Sequence, residues 1–289
     1  MTGVDERAGA AAVRPVNMRH WPGNPGRPAL ALHCMMGSAS YWGPIADRLG
    51  GAVDLRAFDM PGHGRSAPWV PGGGIDFHTG VTRIAAAMID RPLDLIGHSM
   101  GATVALRIAV AAPEAVRTLT LIEPVLFAAL PDGTEGRDAG VPDLERLVGA
   151  GENLTAARQF LDAWGGPGGF DAMPSAMHPA LTRQIELVLD SNATLWHDTA
   201  RILRDGGLEA IDAPVMLVRG ADTRPEITGI IDGLAARLPD VGRAVVPGAG
   251  HMAPLTHPAE IAGLIAANLE RAWAAVSASP RQISSKSSR

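Results

Sequence analysis

Residues 92–101 read Pro-Leu-Asp-Leu-Ile-Gly-His-Ser-Met-Gly, and this stretch decides the fold. An apolar, strand-like run ends in Gly-x-Ser-x-Gly and passes directly into the helix-forming residues 102–112. This order places Ser99 on a sharp turn between a strand and a helix, where the flanking glycines relieve crowding and the hydroxyl is exposed. Ser99 is therefore the candidate nucleophile, and the alternative interpretation is a tight turn with an idle serine.

The composition predicts one large folded unit with a small-molecule partner. The chain has 289 residues, of which 46% are hydrophobic, enough for a single α/β domain that carries an insertion. Its formal net charge of -5 provides no broad basic surface for nucleic acid or for anionic lipid. A nucleic-acid-binding role is therefore excluded, and we expect a small neutral or anionic substrate.

Cysteine content and hydropathy bear on location. Cys34 is the single cysteine, so an internal disulfide is excluded, and the first residues lack the basic start and apolar core of a secretory signal. No apolar run approaches the roughly 18 residues that span a bilayer. We expect a cytoplasmic protein without a membrane segment, and a homodimer stays open. Cys34 is interpreted as a small buried apolar residue, with a reactive thiol as the alternative.

Strand-like and helix-like segments alternate along most of the chain. Apolar runs of strand length recur at 29–33, 53–58, 93–97, 118–122, 214–218 and 243–246. Helical patterns separate them at 41–49, 77–89, 102–112, 226–238 and 258–276. Such alternation predicts an α/β fold with a mostly parallel sheet and helices on both faces.

The strand signal vanishes between about 125 and 210. Four amphipathic stretches take its place, at 144–150, 154–164, 181–189 and 194–203. A connection of this length without strands predicts a helical cap at 125–210, inserted into a core domain of 14–124 and 211–276. The alternative is that these helices belong to the main layers. The terminal segments, 1–13 and 277–289, are predicted to be flexible.

Four motifs in chain order resemble those of the α/β-hydrolase fold superfamily. They are the strand 29–33, the loop Asp-Met-Pro-Gly-His-Gly-Arg-Ser at 59–66, the Gly-His-Ser-Met-Gly turn at 97–101, and Gly-Ala-Gly-His-Met-Ala-Pro at 248–254. Together they extend over most of residues 28–275. The resemblance implies an eight-stranded, largely parallel sheet with the active site beneath a cap.

A serine hydroxyl is a poor nucleophile at neutral pH, so Ser99 requires a histidine base, and that histidine requires a carboxylate to orient it. His251 lies in a loop bracketed by glycine and proline between the last strand and the last helix. The superfamily has its catalytic histidine there, after the acid, in the order Ser, acid, His. His251 is therefore the predicted base.

Two carboxylates compete for the third role. The usual superfamily position, in a Gly-x-x-Asp pattern after the strand at 214–218, falls on Thr223, with Asp222 one residue early. Glu123 follows the preceding strand directly, where some relatives with helical caps carry their acid, and a carboxylate that ends a buried apolar strand is costly unless it is paired. We favour Glu123 and keep Asp222 as the alternative.

Developing charge on a substrate oxygen needs preorganised N–H donors. Met100, directly after the nucleophile, supplies one from a helix N-terminus. The resemblance implies a second donor in a His-Gly-x loop, which reads His33-Cys34-Met35 here and places that donor at Met35. The alternative for His33 itself is a structural role, hydrogen-bonding the carbonyl groups of its loop.

Phe127, Trp164 and Trp196 are candidate substrate-binding residues of the cap, with an apolar acyl or alcohol group as the ligand. The alternative is that they form the interior of the cap.

The resemblance implies a serine hydrolase that cleaves a small carboxylic ester, lactone or thioester through an acyl-enzyme on Ser99. No cofactor is expected, and no His, Cys, Asp or Glu spacing predicts a metal site. Three alternatives stay open: a carbon-carbon bond hydrolase, a perhydrolase, and a receptor-like protein that binds a ligand with little turnover.

Overall fold

A computed structural model describes residues 15–71, 74–131, 134, 142–166 and 168–278. Within these residues lies one seven-stranded sheet, with strand order β1-β3-β2-β4-β5-β6-β7. The strands are β1 (Met18–Trp21), β2 (Pro28–Leu32), β3 (Asp54–Phe58), β4 (Leu93–His98), β5 (Val116–Ile122), β6 (Val215–Gly220) and β7 (Val241–Val246). All neighbouring pairs are parallel except β1 with β3, so the mostly parallel α/β fold is confirmed.

The resemblance implied eight strands, whereas the described residues contain seven. Six of them were predicted from apolar runs, and the seventh, β1, was missed. β1 reads Met-Arg-His-Trp and is largely exposed at the edge of the sheet, where only one side pairs with a neighbour. An exposed edge strand needs no apolar run, so hydropathy gives no signal for it.

Ten α-helices lie between and after the strands in the described residues. They are α1 (Gly43–Leu49), α2 (Phe77–Ala86), α3 (Met100–Ala111), α4 (Pro142–Gly149), α5 (Asn153–Gly165), α6 (His178–Asp190), α7 (Asn192–His197), α8 (Pro225–Ala235), α9 (Ala253–Thr256) and α10 (Pro258–Ala278).

The helices cover the sheet on both faces. One face packs on α1 and α10, whose buried Ile261, Ile265 and Leu269 form the predicted apolar stripe. The side chain of Trp273, the fourth member of that stripe, lies outside the described residues. The other face packs on α2, α3 and α8. Every residue of β4 is buried, because helices cover both of its faces and strands flank both of its edges.

Helices α4 to α7 occupy the long connection between β5 and β6, and no strand interrupts them in the described residues. They pack on one another and contact loops at the carboxyl end of the sheet. The Gln184 amide donates to the carbonyl of Gly62 at 2.8 Å, and the Trp69 indole donates to Asp190 at 3.1 Å. These helices therefore lie over the sheet end where the nucleophile was predicted, while the domain boundaries at 125 and 210 stay predictions.

The predicted helix at 194–203 ends earlier, at His197. Asp198 adopts the left-handed conformation, with φ of 46°, and its carboxylate accepts the N–H groups of Ile202 and Leu203 at 2.7 and 2.8 Å. This local capping competes with continued helix, which a hydropathy pattern does not reveal.

At the ends of the chain, α10 continues to Ala278, and residues 1–14 and 279–289 lie outside the described part. The predicted flexibility of the termini falls largely on those residues. Among the described helices, none combines the length and the apolar character needed to cross a bilayer. The cytoplasmic location stays a prediction.

Candidate active site

Ser99 lies on a strained turn between β4 and α3. Its φ and ψ are 57° and -121°, a conformation that L-residues rarely adopt. The flanking glycines permit the turn, because a Cβ on Gly97 would lie 2.4 Å from the carbonyl oxygen of Gly101, and one on Gly101 would lie 2.4 Å from that of Leu32. The sequence motif is therefore a sharp elbow that fixes the direction of the Ser99 side chain.

His251 meets this serine from the loop between β7 and α9. Its Nε2 lies 3.0 Å from Oγ of Ser99, and both residues are buried, with 7% and 6% of their surface exposed. Gly220 allows the loop to come close, since a Cβ there would lie 2.0 Å from the carbonyl oxygen of Ala249. The structure thus brings together the two residues that the motifs predicted as nucleophile and base.

Glu123 completes the contact on the other side of the imidazole. Its Oε2 lies 3.0 Å from Nδ1 of His251, and the residue is fully buried. Glu123 follows β5 with φ of 50°, and its N–H donates to Val218 of β6 at 2.8 Å. Asp222, the alternative acid, is exposed. The structure therefore places the favoured carboxylate, and not the alternative one, against His251.

Two further donors hold the Glu123 carboxylate. The N–H of Gly220 donates to Oε1 at 2.6 Å, and the Thr223 hydroxyl donates to Oε2 at 2.5 Å. A buried carboxylate with three hydrogen-bonding partners is compensated for its loss of water. In the sequence, Thr223 stands out only because it occupies a position where an acid is expected. Its position, where the usual superfamily carboxylate would stand, is the signal that could have identified this hydroxyl as part of the site.

The loop at 34–37 presents the predicted Met35 donor. The Cys34 carbonyl accepts the Nδ1–H of His33 at 2.7 Å, and the Met36 N–H donates to Nε2 of His63 at 3.0 Å. Because C=O and N–H of a trans peptide point in opposite directions, holding the Cys34 carbonyl also fixes the direction of the Met35 N–H. Among the described residues, no acceptor takes the N–H of Met35 or of Met100. Both donors are thus free for a ligand.

The histidines around this loop are neutral. Burial lowers the pKa of His33 to about 4 and that of His63 to about 3. Nε2 of His33 accepts the Met60 N–H at 2.9 Å, so the ring proton is on Nδ1 and is donated to Cys34. This geometry matches the structural alternative considered for His33. Burial also raises the pKa of the Cys34 thiol to about 12, which keeps the thiol protonated.

A cavity of about 430 Å³ opens beside Ser99 and reaches under the helices that follow β5. All three predicted substrate-binding residues line it. Phe127 stacks on Trp196 with ring centroids 4.0 Å apart, and the Trp164 ring lies 4.6 Å from the ring of His251. Met35 and Met100 line the same cavity. A ligand in this space would therefore contact the nucleophile, both free N–H groups and an aromatic wall.

One ion pair interrupts the apolar wall. Arg224 donates to Glu226 at 2.7 Å, and its guanidinium lies 5.0 Å from the ring centroid of Trp164. Both charged residues line the cavity, and sequence analysis did not single out either one. Within the described residues, no group of three His, Cys, Asp or Glu side chains is arranged to hold a metal ion.

A mostly parallel sheet with a serine on its strand-to-helix elbow defines the class of α/β hydrolases. The chain belongs to the alpha/beta hydrolase family, whose model matches residues 29–264. Lipase LipV of Mycobacterium tuberculosis is 26% identical over 270 residues, which cover 87% of this chain and 96% of that protein.

Two further comparisons agree with this class. The pimeloyl-(acyl-carrier protein) methyl ester esterase of Neisseria meningitidis is 33% identical over 233 residues, covering 76% of this chain and 84% of that protein. Among solved structures, MGS-M2, an alpha/beta hydrolase enzyme from a deep-sea metagenome library of the Medee basin, has a TM-score of 0.71 at 14% identity, over 89% of this chain and 94% of that one. This last likeness supports the fold alone.

Proposed function

We propose that the protein is a serine hydrolase that cleaves a small carboxylic ester, or a related lactone or thioester, through an acyl-enzyme on Ser99. The observation that carries this proposal is the continuous set of hydrogen bonds from Ser99 through His251 to Glu123, each 3.0 Å long. A nucleophile, a base and an orienting carboxylate in contact are the arrangement that acyl transfer requires.

In the proposed first half-reaction, Nε2 of His251 takes the proton of the Ser99 hydroxyl while Oγ attacks the substrate carbonyl carbon. Glu123 stabilises the resulting imidazolium through Nδ1–H. The carbonyl oxygen becomes an oxyanion and accepts the free N–H groups of Met35 and Met100. The carbon-oxygen bond to the leaving alcohol then breaks, and the alcohol departs with the proton held by His251.

The second half-reaction repeats these steps with water. Nε2 of His251 takes a proton from a water molecule, whose oxygen attacks the acyl carbon in the same oxyanion site. The bond to Oγ of Ser99 breaks, the serine regains its proton from His251, and the carboxylic acid leaves. The products are one alcohol and one acid, and no cofactor takes part in either step.

The cavity and the relatives support an ester with an apolar group of modest size. The aromatic wall of Phe127, Trp164 and Trp196 stabilises apolar groups by burial. Two relatives are named as a lipase and as a methyl ester esterase, so an ester substrate is the chemistry that we propose. A carbon-carbon bond hydrolase, a perhydrolase and a receptor-like protein stay as the alternatives.

The experiment compares wild type with Ser99→Ala on chromogenic esters and lactones of graded acyl length. We expect a burst of chromophore in wild type that corresponds to one acyl-enzyme per chain, and loss of turnover in Ser99→Ala. Ser40→Ala is the matched control, because Ser40 is exposed and its hydroxyl bonds Ser38 alone in the part of the chain that the structure describes. A fluorophosphonate probe should label wild type at Ser99. Turnover that survives in Ser99→Ala contradicts the proposal, and ligand-induced thermal stabilisation without product would indicate a receptor.

A further inference from the structure

The side chains of Tyr41 and His98 connect three parts of the site by hydrogen bonds. The Cys34 N–H, directly before the Met35 donor, bonds the Tyr41 hydroxyl oxygen at 3.0 Å. That hydroxyl lies 3.0 Å from Nδ1 of His98, and Nε2 of His98 lies 2.9 Å from the carbonyl oxygen of His251. This chain of contacts joins the loop at 34–37, the turn that carries Ser99, and the loop that carries His251.

For each of these three hydrogen bonds, the donor and the acceptor can be assigned. A backbone N–H can only donate, so the Tyr41 oxygen accepts from Cys34. The His251 carbonyl oxygen can only accept, so Nε2 of neutral His98 carries the ring proton and donates it there, which leaves Nδ1 as the acceptor of the Tyr41 O–H. A single tautomer satisfies all groups, and hydrogen bonds aligned in one direction strengthen one another.

Burial supports this assignment. His98 has no exposed surface and Tyr41 has 8%. The pKa of His98 lies well below its usual value, mainly because of burial and also because of the nearby His251. The pKa of Tyr41 lies well above its usual value for the same reason of burial. Both groups therefore stay uncharged under conditions in which His251 would act as a base.

Each end of this series of hydrogen bonds holds a backbone segment on which the proposed reaction depends. At one end, His33 holds the Cys34 carbonyl, which belongs to the peptide group that carries the Met35 N–H, while Tyr41 holds the Cys34 N–H in the preceding peptide group, so Cys34 is fixed on both sides. At the other end, His98 holds the carbonyl of His251, and the two imidazole rings lie 5.2 Å apart. His98 is bonded directly to Ser99, whose strained backbone provides a rigid reference.

We infer that Tyr41 and His98 are positioning residues, which hold the Met35 N–H and the imidazole of His251 in register with the hydroxyl of Ser99. The inference rests on the proposed function. Its physical basis is that acyl transfer depends on donors and base being held within a few tenths of an ångström of the reacting atoms. Among the described residues, neither side chain hydrogen-bonds Oγ of Ser99 or a ring nitrogen of His251, which bond each other and Glu123.

The first test is Tyr41→Phe, which removes one hydroxyl and leaves the Cys34 N–H and His98 Nδ1 without partners. We expect kcat to fall about tenfold on a chromogenic ester, as for the loss of one buried hydrogen bond, while KM stays within about twofold. The rate of fluorophosphonate labelling should fall by the same factor. Thr118→Val is the matched control, since Thr118 is also buried and its hydroxyl donates to Asp94 at 2.8 Å, at the opposite end of the sheet. It should lower Tm without lowering kcat.

A second pair of variants separates positioning from packing. His98→Gln keeps an N–H donor that can reach the His251 carbonyl, whereas His98→Leu keeps bulk and loses the donor. We expect His98→Gln to retain a kcat at least about fivefold above that of His98→Leu at similar KM. If Tyr41→Phe does not fold, this pair of variants tests the positioning role by itself.

The outcomes distinguish the two proposals. If turnover requires Ser99 but Tyr41→Phe keeps the wild-type kcat with only a lower Tm, the positioning role is overturned and the proposed function stands. Equal kcat in His98→Gln and His98→Leu likewise overturns the positioning role and leaves the proposed function standing. If wild type shows neither ester turnover nor fluorophosphonate labelling, both proposals fail.

Discussion

The hydroxyl of Thr223 donates to Oε2 of Glu123 at 2.5 Å, and that same carboxylate oxygen contacts Nδ1 of His251. Thr223 stands where a superfamily acid was expected, and its hydroxyl instead holds the carboxylate of Glu123. One carboxylate oxygen is thus oriented by a donor from each side, which restricts the direction in which it faces the imidazole.

Thr223→Val removes this donor while conserving volume. We expect kcat for an ester to fall about tenfold with little change in KM, because one hydrogen bond to a buried carboxylate is lost. Thr223→Ser retains the hydroxyl and should keep most of the wild-type kcat. Steady-state kinetics on one chromogenic ester would check this, and equal kcat in the Val and Ser variants would contradict it.

The two candidate acids can be separated by paired substitutions. Glu123→Gln should lower kcat by about 10³- to 10⁴-fold, since the imidazole loses the charge that stabilises its protonated form. Asp222→Asn should stay within about twofold of wild type, because Asp222 is exposed. A large loss in Asp222→Asn together with a small one in Glu123→Gln would reverse the assignment of the acid.

Trp164 lies against His251 and also lines the cavity. Trp164→Ala removes this wall, and we expect KM for esters with an aromatic group to rise about tenfold because apolar contact area is lost. Trp69→Ala is the control, since Trp69 packs on Phe77 and bonds Asp190 but is not among the residues that line the cavity. It should lower Tm with KM unchanged, and a similar KM in both variants would show that Trp164 does not contact the substrate.

A glycine substitution in the elbow, compared with one on the distant helix α10, tests the geometry of the turn. Gly101→Ala should destabilise the fold by about 3 kcal/mol or more, because the added Cβ would lie 2.4 Å from the Leu32 carbonyl oxygen. In Gly263→Ala the new Cβ has no neighbouring atom within 4 Å on the long helix α10, so that variant should gain up to about 1 kcal/mol. Urea unfolding measures both free energies, and a stable Gly101→Ala would contradict the geometry of the turn.

Buried neutral histidines predict sensitivity to acid. The pKa of His33 is lowered to about 4, those of His63 and His78 to about 3, and that of His98 lies well below its usual value, in each case mainly by burial. Below the unfolded pKa of about 6.5 the unfolded chain binds protons that the folded chain does not. The free energy of unfolding should therefore be highest above pH 6.5 and decrease as the pH falls towards 4, by up to about 1.4 kcal/mol per pH unit for each histidine.

Urea unfolding between pH 7.5 and 4.5 measures this slope. His78→Asn should reduce it by about one proton, because an asparagine oxygen can accept the Arg107 bond that His78 Nδ1 takes at 3.2 Å but does not titrate. A free energy of unfolding that is constant from pH 7.5 to 5 would contradict the prediction.

Within the described residues, six of the seven strands and the order of the main helices followed from periodic hydropathy, because buried elements repeat apolar residues at the period of a strand or a helix. The elbow at Ser99 was also predicted, because the Gly-x-Ser-x-Gly motif between a strand-like and a helix-like run marks it directly, although the atoms that require Gly101 belong to Leu32 and His33, far away in the chain. The edge strand β1, the early end of α7 and the seven-strand count did not follow, because exposure and local capping leave no apolar pattern.

What the sequence by itself determined is therefore local: the α/β alternation, the turn that presents Ser99, and the candidate set of His251, Glu123 and Asp222. Only the tertiary structure decided which carboxylate meets the imidazole and which side chains hold the site, among them Thr223, Tyr41 and His98. The physical reason is distance along the chain. Glu123 and His251 are 128 residues apart, and Ser99 and His251 are 152 apart, so their contacts depend on which strands are neighbours in the sheet and on how closely glycines let their loops approach.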